Sequence, residues 1–218
     1  AMAIAIRCWN STLVRKRPDL MQLATRARPH PSLADTWTRE LMEHGWCIIP
    51  DLMPREKVHA LHADLDERFE RTTLCQGDFY GPRTKRFGGL LKRSTHMEAF
   101  ARHPTILEIA DNALLPYCDS YQINLTQALA LYPVAPMQAP HRDQDMWRGP
   151  TGEIEYLINV MWPFTDYRED NGATLIWPGS HRRQDEDLID LSGSATAEMD
   201  PGSAMVFLGS TLHGAGAN

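Results

Sequence analysis

Apolar positions in "SLADTWTRELMEHG" (residues 32–45) recur at helical spacing, with Leu33, Trp37 and Leu41 on one face. Ser32 stands where an N-cap belongs, Asp35 follows three residues on, and Gly45 ends the run, so the pattern predicts a helix. "WCIIPDL" then reads as a short strand, and Pro54, in a first-turn position, opens a second amphipathic helix over "REKVHALHADLDERFERT". From 72 to 96 the chain is rich in Gly, Arg and Thr, the composition of a loop region wrapped around a site. A third helix, "HPTILEIADNALLP", starts after His103-Pro104 and stops at Pro116.

Beyond residue 119 the period changes. "DSYQINLTQALALYP", "EIEYLINVMWPF", "ATLIWP" and "SAMVFLG" are short apolar or alternating runs divided by Pro, Gly and Asp. Strands of this kind with no helical period between them indicate an antiparallel sandwich or barrel. The expected outline is helices to about residue 116 and a β core from about 119, with no internal repeat.

At 218 residues and 43% hydrophobic, the chain can bury one sizeable core, which predicts a single domain over 32–218. A net charge of -6 and a pI near 5.8 leave no electrostatic footprint for nucleic acid or an anionic membrane. Small-molecule partners fit better, and no apolar run approaches the ~18 residues of a membrane helix. Cys8, Cys47, Cys75 and Cys118 lack any short repeat spacing, which argues against a disulfide framework or zinc knuckle and for a reducing cytoplasm. In residues 1–31, Arg7, Arg15, Lys16, Arg17, Arg26 and Arg28 face a single acid, Asp19. That composition reads as a flexible basic extension or a transit peptide, outside the fold.

Chemistry enters with "HRDQD", residues 141–145. Residues two apart on a strand share a face, so His141 and Asp143 can present an imidazole and a carboxylate to one point while Arg142 faces the other way. His213, after "SAMVFLG" and before small residues, is placed to add a third ligand. Two histidines and a carboxylate on one face form the pattern of non-haem Fe(II) oxygenases, and Zn(II) with a bound water is the alternative. Each residue alone has a plainer reading: a turn histidine, a cap, a core imidazole.

Three blocks in order raise them together: "QAPHRDQDMW", "DNGATLIWPGSH" and "PGSAMVFLGSTLHGAGAN". With "HGWCIIPDLMPREKVHAL" upstream, the chain from about Trp37 to its last residue resembles the phytanoyl-CoA dioxygenase-like branch of the Fe(II)/2-oxoglutarate-dependent oxygenases. The resemblance implies a mainly β fold with flanking helices: a double-stranded β-helix (jelly-roll, cupin-like) core preceded by an α-helical N-terminal part. It implies His141, Asp143 and His213 as iron ligands. Gln138 and Thr174 match positions that contact 2-oxoglutarate, both able to donate to a carboxylate. Trp147 looks like an aromatic lining the site, and His181 like a turn residue near the barrel mouth. Arg86 or Arg93 could reach in from the loop, against the plainer reading of a solvated basic face. The family also places an arginine one strand beyond the distal histidine, bidentate on the far carboxylate of 2-oxoglutarate. The sequence stops at Asn218, so the core is expected to lack its last strand.

The implied reaction couples 2-oxoglutarate and O2 to oxidation of a small substrate, releasing succinate and CO2. Asp143 occupies the ligand position that halogenases leave to a small residue, which predicts hydroxylation or a related oxidation. Two other readings stay open: a jelly roll that binds metal or a small molecule without catalysis, and a zinc hydrolase with Asp145 or Glu155 as general base.

Overall fold

The computed structural model describes residues 1–9, 32–147, 154–183 and 191–218. Along these residues run β1 (Met2–Cys8), α1 (Leu33–His44), β2 (Trp46–Ile49), α2 (Arg55–Arg71), β3 (Thr84–Gly88), α3 (Met97–Ala101) and α4 (Pro104–Leu114). There follow β4 (Tyr121–Leu131), β5 (Leu157–Trp162), β6 (Thr174–Ile176), β7 (Ala195–Thr196), β8 (Ala204–Leu208) and β9 (His213–Ala215).

α1 forms where its caps direct. Asp35 N–H donates to the Ser32 hydroxyl at 3.1 Å, and the Asp35 carboxylate accepts from Ser32 N–H at 2.8 Å. Gly45 closes the helix at φ 84°, and a Cβ there would meet His181 Nδ1 at 2.5 Å and Thr211 Oγ1 at 2.6 Å. This position therefore needs glycine both for its backbone angle and for the close approach of the loop that leads to His213.

A six-stranded antiparallel sheet has the order β2-β8-β5-β1-β4-β3, and a three-stranded sheet the order β7-β6-β9. Alternation sorts the larger sheet into two faces. Ile158, Val160 and Trp162 of β5 and Val206 and Leu208 of β8 share the main core with Leu41, Leu61 and Ile109 of the helices. Met205 and Phe207 point the other way, onto Ile176, Ala197 and Met199 beside the smaller sheet. The protein is thus mainly β with few helices. Those helices lie within 33–114, with β2 between the first two as expected, but β1 and β3 also fall in this half, so the α-helical N-terminal part expected is a mixture of helices and strands.

Residues 1–9 correct the sequence reading. β1 lies in the middle of the larger sheet, pairing Met2 with Ala128 of β4 and with Trp162 of β5, and buries Met2, Ile4, Ile6 and Cys8. Averaging composition over 31 residues hid a seven-residue alternating strand whose basic residue, Arg7, lies 4.1 Å from the centroid of the Trp147 ring. Residues 10–31, where the basic extension was expected, lie outside the described residues. Cys8 is also disulfide-bonded to Cys118 across a sequence separation of 110, a pairing that spacing could not show; Cys47 and Cys75 are free.

Other differences are local. β3 occurs where a loop was expected, because a five-residue strand rich in Lys and Arg, "TKRFG", carries no apolar alternation; α3, just beyond that stretch, is only five residues long. β7 and β9 are two and three residues long, too short for a period to register.

Candidate metal centre

His141, Asp143 and His213 come together with ligand atoms all within 4.8 Å of one another, the one such group among the described residues. His141 is not in a continuous strand: it forms an isolated antiparallel bridge with His213, each amide donating to the other's carbonyl at 2.9 and 3.0 Å. Asp143 opens a short 3-10 turn, Asp143–Met146. The shared face expected of i and i+2 survives because Arg142, between them, keeps an extended backbone at φ -113°, ψ 126°.

The donors are aimed by their neighbours. His141 Nδ1 lies 3.0 Å from Ala139 O and His213 Nδ1 3.0 Å from Thr211 O. A carbonyl only accepts, so each Nδ1 carries the proton and each Nε2 offers its lone pair. The two Nε2 atoms converge on Asp143 at 3.5 and 3.7 Å, each facing a different carboxylate oxygen. Ligand atoms bound at about 2.1 Å to one ion lie roughly 3 Å apart, so small side-chain adjustments would let all three share one. Burial pushes the His213 imidazole toward its neutral, ligating form. Burial would raise the Asp143 carboxyl, but its neighbours His141, His213 and Arg86 hold it below its usual range. Neutral imidazoles and an ionised carboxylate, without thiolate, suit Fe(II).

The open side faces a cavity of about 810 Å³. Thr174 lines it, its hydroxyl 2.9 Å from that of Tyr167, as does Gln138, whose side-chain oxygen accepts from Ala215 N–H at 3.3 Å. Trp147 lines it too, with its Nε1 buried and without a hydrogen bond. Of the two arginines weighed in the loop, Arg86 points in from β3, whereas Arg93 turns out to donate to Gly88 O at 2.8 Å. Arg86 Nε is buried without a hydrogen bond. His181 is buried in its turn, 3.2 Å from Met42 O, and takes no part in the ligand group. Glu155 is hydrogen-bonded to Ser210 outside the cavity lining, while Asp145 reaches the lining.

Sequence reasoning missed Asn159, Tyr167 and Phe79. Asn159 is 4% exposed, lines the cavity, and its Nδ2 has no hydrogen bond. A lone amide inside the apolar run "YLINVMW" was the available signal. Phe79 stands edge-on to His141 at 4.9 Å between ring centroids.

The model of the family described as phytanoyl-CoA dioxygenase (PhyH) matches residues 41–218. Dioxygenase trt7 of Aspergillus terreus is 29% identical over 209 residues, covering 88% of this chain and 71% of the relative. Dioxygenase aneA of Aspergillus aculeatus is 29% identical over 194 residues, covering 82% and 65%. Among solved structures, the non-heme alpha ketoglutarate dependent epimerase SnoN from nogalamycin biosynthesis superposes with a TM-score of 0.68 at 18% identity, over 87% of this chain and 76% of that one. HygX of Streptomyces hygroscopicus, solved with nickel, 2-oxoglutarate and hygromycin B, gives 0.65 at 15% identity, over 87% and 83%. The structural likenesses establish the fold; the family match spans the centre and most of the cavity lining, all but Ala1, Ala3 and Ala5, in β1 and just before it.

Proposed function

Because the chain belongs to the phytanoyl-CoA dioxygenase family, we propose that it is an Fe(II)- and 2-oxoglutarate-dependent dioxygenase oxidising a small organic substrate. The observation that carries this reading is the convergence of His141, Asp143 and His213 on one wall of a cavity that also holds buried, unsatisfied donors. Bound Fe(II) supplies the O2 and one-electron chemistry, and the protein supplies orientation and a water-poor pocket.

In this reading His141, Asp143 and His213 hold the metal. The Arg86 guanidinium faces the anionic co-substrate, with Thr174, Tyr167 and Gln138 as further polar contacts and Trp147 bounding the space. The Arg86 role follows from its chemistry: a planar buried cation with an unused N–H satisfies itself on a carboxylate. 2-Oxoglutarate, O2 and substrate give succinate, CO2 and a hydroxylated or otherwise oxidised product. The Asp143 carboxylate fills the position a halide would need, which favours oxygenation over halogenation.

The test is anaerobic reconstitution with Fe(II) and 2-oxoglutarate, followed by air. Succinate should appear in proportion to enzyme, even without substrate, and His213→Ala or Asp143→Ala should lower it at least 100-fold, on the order of losing a transition-state contact worth about 3 kcal/mol. Silence from folded, iron-loaded protein would return the chain to the binding-module reading. Among the described residues no helix is long and apolar enough to cross a membrane.

A further inference from the structure

Between the two ligands on one segment lies a residue that the metal chemistry leaves aside. Arg142 is 8% exposed and turns away from the centre. Its Nε donates to Ser210 O at 3.0 Å, and one terminal nitrogen donates to Arg183 O at 3.0 Å and Ser180 O at 3.4 Å. Those carbonyls belong to the two turns that present the third ligand. Ser210 begins the approach to His213. Ser180 accepts from Leu212 N–H at 2.8 Å through its hydroxyl, one residue before that ligand. A parallel bond, Gln144 N–H to Gly209 O at 3.0 Å, ties the same segments on the other side of Asp143.

We propose that Arg142 is a positioning residue of the metal centre, holding the His141–Asp143 segment in register with the turns that carry His213. The proposal rests on the metal-centre reading above. Its chemical logic is geometric. A guanidinium spreads donors over a rigid plane and can meet separated carbonyls from one stem, whereas an ammonium offers its donors from a single point. Separated carbonyls on different turns are what Arg142 meets. The His141–His213 bridge fixes one contact between the ligand segments; Arg142 fixes their relative orientation.

The experiment measures Co(II) uptake by the protein, from its visible absorption, for the parent, His213→Ala, Arg142→Lys and Arg142→Met, with thermal midpoints alongside. The parent is expected to bind one Co(II), and His213→Ala to bind far more weakly. Both Arg142 variants should bind about 10- to 100-fold more weakly than the parent, with an altered absorption band, and lysine should not rescue. A role confined to general stability would lower the midpoint but leave the affinity and band of folded protein unchanged, and that result would overturn the proposal. If neither Arg142 variant folds, Ser180→Ala removes the hydroxyl that receives Leu212 while leaving Arg142 in place. Severalfold weaker Co(II) binding then supports the proposal, and unchanged binding overturns it. A parent that takes up no Co(II) would sink the metal-centre reading itself, a different outcome from a parent and Arg142 variants that bind equally well.

Discussion

At the scale of single residues, Arg86 is the group on which the chemistry turns most sharply. Burial pushes its guanidinium down from its ordinary value, although it stays charged, and Asp143 and Tyr167 are among the groups that draw it back up. A cation kept in a cavity with an unsatisfied N–H favours an anionic guest. Arg86→Met should therefore raise the KM for 2-oxoglutarate by about 10- to 100-fold, matching a charge-assisted hydrogen bond of about 1.5–3 kcal/mol, while Fe(II) affinity changes little. Steady-state kinetics with varied 2-oxoglutarate, beside a metal titration, separates the two; an unchanged KM would remove Arg86 from the co-substrate's contacts. His141, Asp143 and His213 were legible in sequence as one candidate ligand group because three blocks appear together in order. Arg86 was only a candidate, since nothing in "RTKRFGG" distinguishes the arginine that faces a cavity from the one that reaches back to Gly88.

At the scale of elements, legibility followed length and capping. α1 was readable to its ends because Ser32, Asp35 and Gly45 each state a boundary, and β4, β5 and β8 because their runs are long and apolar. β1 was lost for the opposite reason: its neighbours in sequence are basic, and what makes it a strand is pairing with β4 and β5, far along the chain. Those two strands each pair with β1, so it holds the halves of the larger sheet together. A proline at Ile4, which is 1% exposed, would remove a ladder donor at the centre of this sheet. Ile4→Pro should destabilise by about 3 kcal/mol or more, lowering the denaturant midpoint read by near-ultraviolet and by far-ultraviolet signals alike. Denaturant titrations with both probes check this; unshifted curves would refute a central role for β1.

Over the whole molecule, buried ionisable groups outside the metal centre set how stability responds to pH. Glu155 is 8% exposed, accepts from the Ser210 hydroxyl at 2.6 Å, and leaves its second oxygen unsatisfied. Burial pushes its carboxyl from 4.5 up to about 7. The folded state therefore holds this proton more tightly than the unfolded chain, and the associated stability is lost as pH rises from about 4.5 through about 7. The buried histidines His181 and His213, pushed down by burial, act in the opposite sense, so the parent alone does not isolate the effect. Comparison with Glu155→Gln does: between pH 5 and pH 8 the variant should gain about 2.5 kcal/mol relative to the parent, read from urea midpoints at each pH. A constant difference would mean that Glu155 stays ionised throughout. The central place of β1 has one more consequence, for the order in which the protein can be made. Met2 must wait for Ala128 and then for Trp162 before its ladder is complete, so an emerging chain carries an apolar strand with open edges until residue 162 has been synthesised. The interval before β5 emerges is thus when a neighbouring nascent chain, or a chaperone, has the best opportunity to occupy that edge.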